Sequence, residues 1–352
     1  MPVPRPGHRG WFAPIIALLA CAIPALAPAG GLAIAPAWGQ SPARLGPLCA
    51  EGPSADVVIG GCTQQIDAGN LSANDLATAL ALRGAAYYQA RSYAMAFADY
   101  TRATQLVPNN AGYHRGLGLA RGNLKRDSGD ALANATQIEQ ALSDFNQAAR
   151  LDPKDPVTLV RRGEAYVALG RIERGLDDLN QAIVLRPDLA LAHESRGMAY
   201  REIGDNRKAL DDFAIAIRLQ PANASIHLNN GLSHDALAEH KQAINAFDEA
   251  IRLDPSSAEA FNARGVSYAK QGKTDRALED FDQAIVLNPG FADAYFNRGN
   301  AYYLKGDKDR AVANFIQARQ LNPRFPEVPD TMFESFDIDV PDSFGSRRPF
   351  SR

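Results

Sequence analysis

Two nested periods run through the hydrophobic pattern. Within 258–291, apolar or small residues fall at Phe261, Gly265, Tyr268 and Ala269, and again at Ala277, Leu278, Phe281, Ala284, Ile285 and Leu287. Steps of three and four place each set on one face of an α-helix. Gly272 separates the two runs. Pro289 ends the second, because its ring cannot continue a helix and biases Asn288 away from helical angles. The stretch predicts helix, tight turn, helix, stop. Gly265 and Ala284 are small enough to let the two helix backbones approach, with Tyr268 and Phe281 filling the space beside them. The longer period is 34 residues, the spacing of Pro153, Pro187, Pro221, Pro255, Pro289 and Pro323. Each copy reads R/N-G-x-x-Y/H, then Gly, then A/G-[LIV]-x-x-[FL]-x-x-A, then Pro.

These residues resemble the tetratricopeptide repeat, whose motif sets a Gly, an aromatic three residues on, an Ala, an aromatic four residues after that, and a closing Pro. Here the roles fall on Gly265, Tyr268, Ala277, Phe281 and Pro289 and on their equivalents one period away. The departures are His234 in place of Tyr, Gly175 in place of Ala, and His193 and His227 at a large-aromatic position. The resemblance implies an all-α fold, a right-handed superhelical solenoid of antiparallel helix pairs. About seven repeats are expected over 77–325: 77–110, 111–155, 156–189, 190–223, 224–257, 258–291 and 292–325. The first carries Gly84, Tyr87, Ala96, Tyr100, Ala103 and Pro108. The second is irregular: Gly116 to Leu142 is 26 residues, against 13 from Gly163 to Leu176. The excess, 122–135, is read as an insertion in the turn between two helices or as a loop presented to a partner.

The resemblance also implies a surface. First helices of successive repeats line a concave groove that takes a peptide or protein segment. The lining positions here are Val160, Glu164 and Ala168; Glu194, Met198, Arg201 and Glu202; and Leu228, Leu232 and Asp235. They continue through Asn262, Val266 and Lys270 to Phe296, Asn300, Tyr303 and Leu304. This predicts a groove acidic in its middle and apolar-aromatic at its C-terminal end. The binding residues are expected among the last seven, from Asn262 to Leu304.

Upstream, residues 1–10 carry Arg5 and Arg9 and no acid, and 11–37 carry no charge. Small residues follow around Gly39. Residues 1–39 read as a secretory signal peptide, with a retained membrane anchor or a lipidated Cys21 as alternatives. Without Cys21, two cysteines remain, Cys49 and Cys62. An even pair in an oxidising compartment reads as a disulfide. Residues 54–68 resemble a second helix of a repeat, with Ser54 as N-cap and Gly69 as stop. Residues 40–76 are thus a linker and a capping half-repeat, with Cys49 stapling the preceding strand of chain onto it. Residues 326–352 form a Pro- and Phe-rich tail that either folds back over the last helix pair or extends to meet a partner.

Composition removes other classes of function. Aromatic residues are 8%, charged residues 22% and the net charge −3, with no basic excess of the kind a nucleic-acid surface needs. No cofactor, small-molecule substrate or metal is expected. Gly272-Lys273-Thr274 resembles the end of a phosphate loop but lacks the glycine five residues before. His227, His234 and His240 cluster, with His227 and His234 at packing positions. The acid pairs at 177–178, 211–212 and 279–280 share one phase, which predicts a solvated face or contacts between repeats. No catalytic residue emerges. The sequence points to a non-catalytic interaction scaffold of the periplasm. The alternative is a structural subunit of a larger envelope or secretion complex, and membrane attachment is expected only through a retained N-terminal segment or Cys21.

Overall fold

The computed structural model describes residues 45–124, 131–323 and 325, with the side chains of 131–134 left out. All sixteen elements among the described residues are α-helices. They fall into two compact units, Met1–Pro187 and Asp188–Arg352.

The first unit contains α1 (Pro47–Ala50), α2 (Ala55–Asp67), α3 (Ala73–Gln89), α4 (Tyr93–Leu106), α5 (Ala111–Asn123), α6 (Ala131–Leu151), α7 (Pro156–Ala168) and α8 (Ile172–Leu185). The second contains α9 (Ala190–Glu202), α10 (Asn206–Leu219), α11 (Ala224–Ala236), α12 (His240–Leu253), α13 (Ala258–Lys270), α14 (Thr274–Leu287), α15 (Ala292–Leu304) and α16 (Lys308–Leu321). From α3 onward each odd helix packs on the even helix that follows it.

Local chemistry sets the helix ends. Asn110, Asp155, Asn223 and Ser257 cap the first helices α5, α7, α11 and α13, their side chains accepting backbone N–H groups of the first turn. Pro156 opens α7 at a position where its missing N–H costs nothing. In four pairs the turn passes through one glycine of left-handed backbone. That residue is Gly170 (φ 72°), Gly204 (79°), Gly272 (74°) or Gly306 (79°), where glycine meets no Cβ penalty. Ala238 holds the same place in α11/α12 at φ 60°, and Arg91 does so after α3 at 58°.

Inside each pair an aromatic ring lies on a glycine. Phe213, Phe247 and Phe281 are at most 1% exposed. A Cβ on Gly197, Gly231 or Gly265 would come within 2.7, 2.5 or 2.7 Å of the respective ring. In the first unit Tyr100 takes this role between Gly84 and Gly116, and burial pushes its phenol pKa up.

A second repeated contact was not legible from the acid pairs. Asp178, Asp212 and Asp280 are buried, and each takes a two-pronged guanidinium from sixteen residues earlier: Arg162 (2.7 and 2.7 Å), Arg196 (2.8 and 2.7 Å) and Arg264 (2.9 and 2.6 Å). Arg83 grips Asp99 in the same way at 2.8 and 2.7 Å. In the last pair Arg298 donates to Asn314 instead, at 2.8 Å. Only the leading acids, Asp177, Asp211 and Glu279, face solvent. Of the two outcomes expected of these pairs, the solvated face holds for half of each, and the other half makes its contact within one repeat instead of between repeats. The trailing carboxylate points into its own helix pair, where Arg replaces water as its partner.

Two other expectations change. Cys49 lies not on an extended strand but in α1, one helical turn that begins at Pro47. Cys49 and Cys62 are joined, with Cα atoms 4.4 Å apart, both fully buried beside Val58, Ala79, Leu82 and Ala86. Ser54 caps α2 by accepting from the Val57 N–H at 3.3 Å, and Gly69 takes left-handed backbone at φ 69°. The insertion is not all turn either: its residues from Ala131 onward are helix and extend α6 to 21 residues, against 14 in α8. Residues 125–130 lie outside the described residues.

Candidate protein-binding surface

The surface expected from the sequence has members in both units, and each unit is taken by itself. In the first unit Val160 is wholly buried and Glu164 pairs with Arg161 at 2.8 Å, leaving only Ala168 exposed. In the second unit the buried member is Glu194, 3% exposed, which accepts from the Ser225 hydroxyl at 3.0 Å. A first helix contacts both its own partner and the next first helix. The strip it can offer to a ligand is therefore narrower than spacing alone predicts.

The acidic middle also changes character. Asp235 accepts from the Ser267 hydroxyl at 2.8 Å, meets Nδ1 of His240 at 2.8 Å, and forms an ion pair with Lys270. Burial raises its pKa, but the bonds from Lys270, Ser267 and His240 and the Lys270 charge outweigh burial and hold it below the usual carboxylate value. Arg201 donates to Asn229 at 2.8 Å, and Asn297 donates to Asn262 at 3.0 Å. Polar side chains on successive first helices thus satisfy one another, and Glu202 is the acid left exposed. The histidines enter this network as polar groups. Besides His240, His234 meets Glu239 at 2.7 Å, and buried His193 meets Asp212 at 3.1 Å. Among the described residues no group of His, Cys, Asp and Glu is placed to hold a metal ion. Lys273 is the residue before α14, so the Gly272-Lys273-Thr274 triplet is a repeat turn.

The seven residues singled out by the sequence divide three ways. Asn262 and Lys270 are engaged with Asn297 and Asp235. Val266 and Phe296 are half-buried: Val266 packs against the Phe281 cluster, and Phe296 lies between Phe315 (ring centroids 5.4 Å apart) and Phe325 (4.9 Å, stacked). Asn300, Tyr303 and Leu304 are exposed, Tyr303 by 48% and Leu304 by 69%. These three fall on one side of α15, at steps of three and four. Residues 326–352, the Pro- and Phe-rich tail, lie outside the described residues, as do residues 1–44. No described helix is long and apolar enough to cross a membrane.

The arginines of the internal ladder, Arg83, Arg162, Arg196, Arg264 and Arg298, were the residues missed. Their signal was the Arg-Gly dipeptide of almost every copy, read as a motif and not as one half of a charge pair.

Comparison with known proteins agrees with this architecture. Family signatures described as "Tetratricopeptide repeat" match residues 126–190, 160–224 and 292–325, and one described as "TPR repeat" matches 239–272 and 267–306. No curated protein matches the sequence. Among solved structures, the Cut9-Hcn1 hetero-tetramer of the APC/C is similar with a TM-score of 0.63 at 16% identity, over 80% of this chain and 52% of that one. This chain thus spans about half that protein's length. A tetratricopeptide repeat protein from Parabacteroides merdae is similar at a TM-score of 0.53 and 20% identity, over 73% of this chain and 96% of that one. Human IFIT1, solved as a dimer with PPP-AAAA, gives 0.58 at 19% identity, over 74% and 62%. At these identities the likeness is one of fold. The family signatures, the recurring glycine–aromatic contacts and the helix pairs converge: this chain belongs to the tetratricopeptide repeat family.

Proposed function

We propose that the protein is a non-catalytic interaction scaffold of the periplasm, and that it holds a peptide or protein segment on the first-helix face of its second unit. The observation that carries this reading is the exposure of Tyr303 and Leu304 beside Asn300. Large apolar groups side by side at the surface favour contact with another molecule, and aromatic anchors often dominate binding energy. The charges nearby leave little for a strongly acidic or basic ligand, since Lys270 is paired with Asp235 and Lys305 with Asp275 at 2.5 Å. The partner segment is therefore apolar with a few amide or hydroxyl groups. Export is supported by the uncharged N-terminal run and by the joined cysteines, which suit an oxidising compartment.

The test is a crosslinking pull-down from the native envelope with the parent chain and with Tyr303→Glu/Leu304→Glu, two changes on side chains already in solvent. Loss of a defined partner with unchanged helical signal is expected. Equal recovery of that partner by both chains would refute the surface. A partner held at fixed stoichiometry through purification would favour the structural-subunit reading. N-terminal sequencing of the mature protein should find a start near Gly39, and a chain beginning at its first residues would refute cleavage.

A further inference from the structure

We propose that the second unit bends at one place, the seam between the pair α9/α10 and the pair α11/α12. The arginine ladder marks the spot. In α13 the guanidinium of Arg264 holds Asp280 of its own pair and reaches back to Asp248 of α12 at 2.7 Å. In α15 Arg298 holds Asn314 of its own pair and reaches back to Asp282 of α14 at 2.5 Å. One side chain thus fixes a first helix both to its partner and to the pair before it, and a planar guanidinium fixes direction as well as distance. In α11 the place of the arginine is taken by Asn230, and the two acceptor places by Ala246 of α12 and Ala214 of α10. An alanine side chain accepts no hydrogen bond. The clamp is therefore missing twice here, inside α11/α12 and from α11 back to α10.

What holds this seam is arranged as a hinge. α10 meets α11 through Ala209, Phe213, Ala216 and Ile226, a fully buried apolar cluster. Such a contact holds two surfaces together without fixing their angle. The polar bonds across the seam lie to one side of it. On the first helices Arg201 donates to Asn229 at 2.8 Å, and the Ser225 hydroxyl donates to Glu194 at 3.0 Å. At the turn edge Arg207 meets Glu239 at 2.7 Å. These pins permit a rotation about the first helices, with α10 and α12 swinging on the far side. The pair α11/α12 itself stays one body, since Phe247 lies on Gly231 and the turn is tied by His234 to Glu239 and by His240 to Asp235. A buried ion pair adds little net stability but can select one arrangement, so its absence loosens the angle and leaves the fold intact. The face of α9 can then change its angle to the faces of α11, α13 and α15, whatever those faces bind.

The test measures the spread of angles in the full chain, without any partner. Nitroxide labels on p-acetylphenylalanine are placed at exposed, equivalent sites of the second helices. One pair, at Asp211 and Glu279, spans the unclamped seam and one clamped seam; the other, at Asn245 and Ala313, spans two clamped seams. Double electron–electron resonance should give a distance distribution roughly twice as broad for the first pair as for the second. Equal widths, or a broader second distribution, overturn the proposal. Completing the ladder with Ala214→Asp/Asn230→Arg/Ala246→Asp should narrow the first distribution to the width of the second. A completed chain with the parent's helical signal and an unchanged width also overturns it. Arg264→Ala supplies the converse measurement: it should broaden the second distribution, and an unchanged width there would show that the clamp does not set the angle, which again overturns the hinge.

Discussion

The guanidinium of Arg264 closes on the carboxylate of Asp280 through bonds of 2.9 and 2.6 Å, and its remaining arm reaches Asp248 of the preceding helix pair at 2.7 Å. One side chain from α13 thus ties α14 to its own pair and α12 to the next. The bond to Asp280 comes first among the causes that hold the guanidinium protonated far above its usual range.

Removing Arg264 should leave Asp280, 5% exposed, as a carboxylate without its partner. Arg264→Ala is expected to cost about 2–4 kcal/mol in urea unfolding, and Arg264→Lys to recover little of it, because a point charge cannot make the two-pronged contact. Arg298→Ala should cost less, about 1 kcal/mol, since its partner Asn314 is neutral and keeps a bond from its own amide to the Arg310 carbonyl at 2.7 Å. Equal losses at the two sites would contradict this account.

Ala238 holds left-handed backbone at φ 60°, where four other pairs use glycine. Ala238→Gly should raise stability by about 0.5–1 kcal/mol, the left-handed strain relieved less the extra freedom of glycine in the unfolded chain. Thermal unfolding measures it, and a lower midpoint would show that the Ala238 side chain contributes packing that outweighs the strain.

The depressed pKa of Asp235 makes a pH prediction with a definite sign. A carboxylate held below its unfolded value of about 4 stabilises the fold above that value, and the contribution fades as pH falls through the lower folded value. The stability gap between the parent and Asp235→Asn should be constant near neutrality and shrink below about pH 4. A gap that widens on acidification would reverse the assignment.

Opening the Cys49–Cys62 bridge removes a short covalent loop that holds α1 on α2. The chain-entropy model gives about 3 kcal/mol for a loop of this size. Cys49→Ser/Cys62→Ser should lose about that much in the first unit, and non-reducing peptide mapping of the parent protein should find the linked pair. Two free thiols at these positions would remove the staple.

The helix pairs were written in the chain itself. The 34-residue proline period, the glycine–aromatic spacing of Gly265 and Phe281 and the turn glycines each act within one repeat, where sequence distance and contact coincide. That is why the family could be named from Gly265, Tyr268, Ala277, Phe281 and Pro289 alone. Burial is a different matter, because it depends on what the neighbouring pair covers. Val160 and Glu194 carry the same phase as Asn262 and Phe296, yet the first two are buried and the last two only half-buried. Asp235 and Glu194 counted as free acids until packing set Lys270 and Ser225 against them. By phase the trailing aspartates belong to a solvated face or to contacts between repeats; packing instead brings Arg162, Arg196 and Arg264, sixteen residues away, onto them across the helix pair. Periodicity fixes which face of a helix a residue occupies; only the stacking of one pair on the next decides whether that face meets water, a counter-charge or another chain.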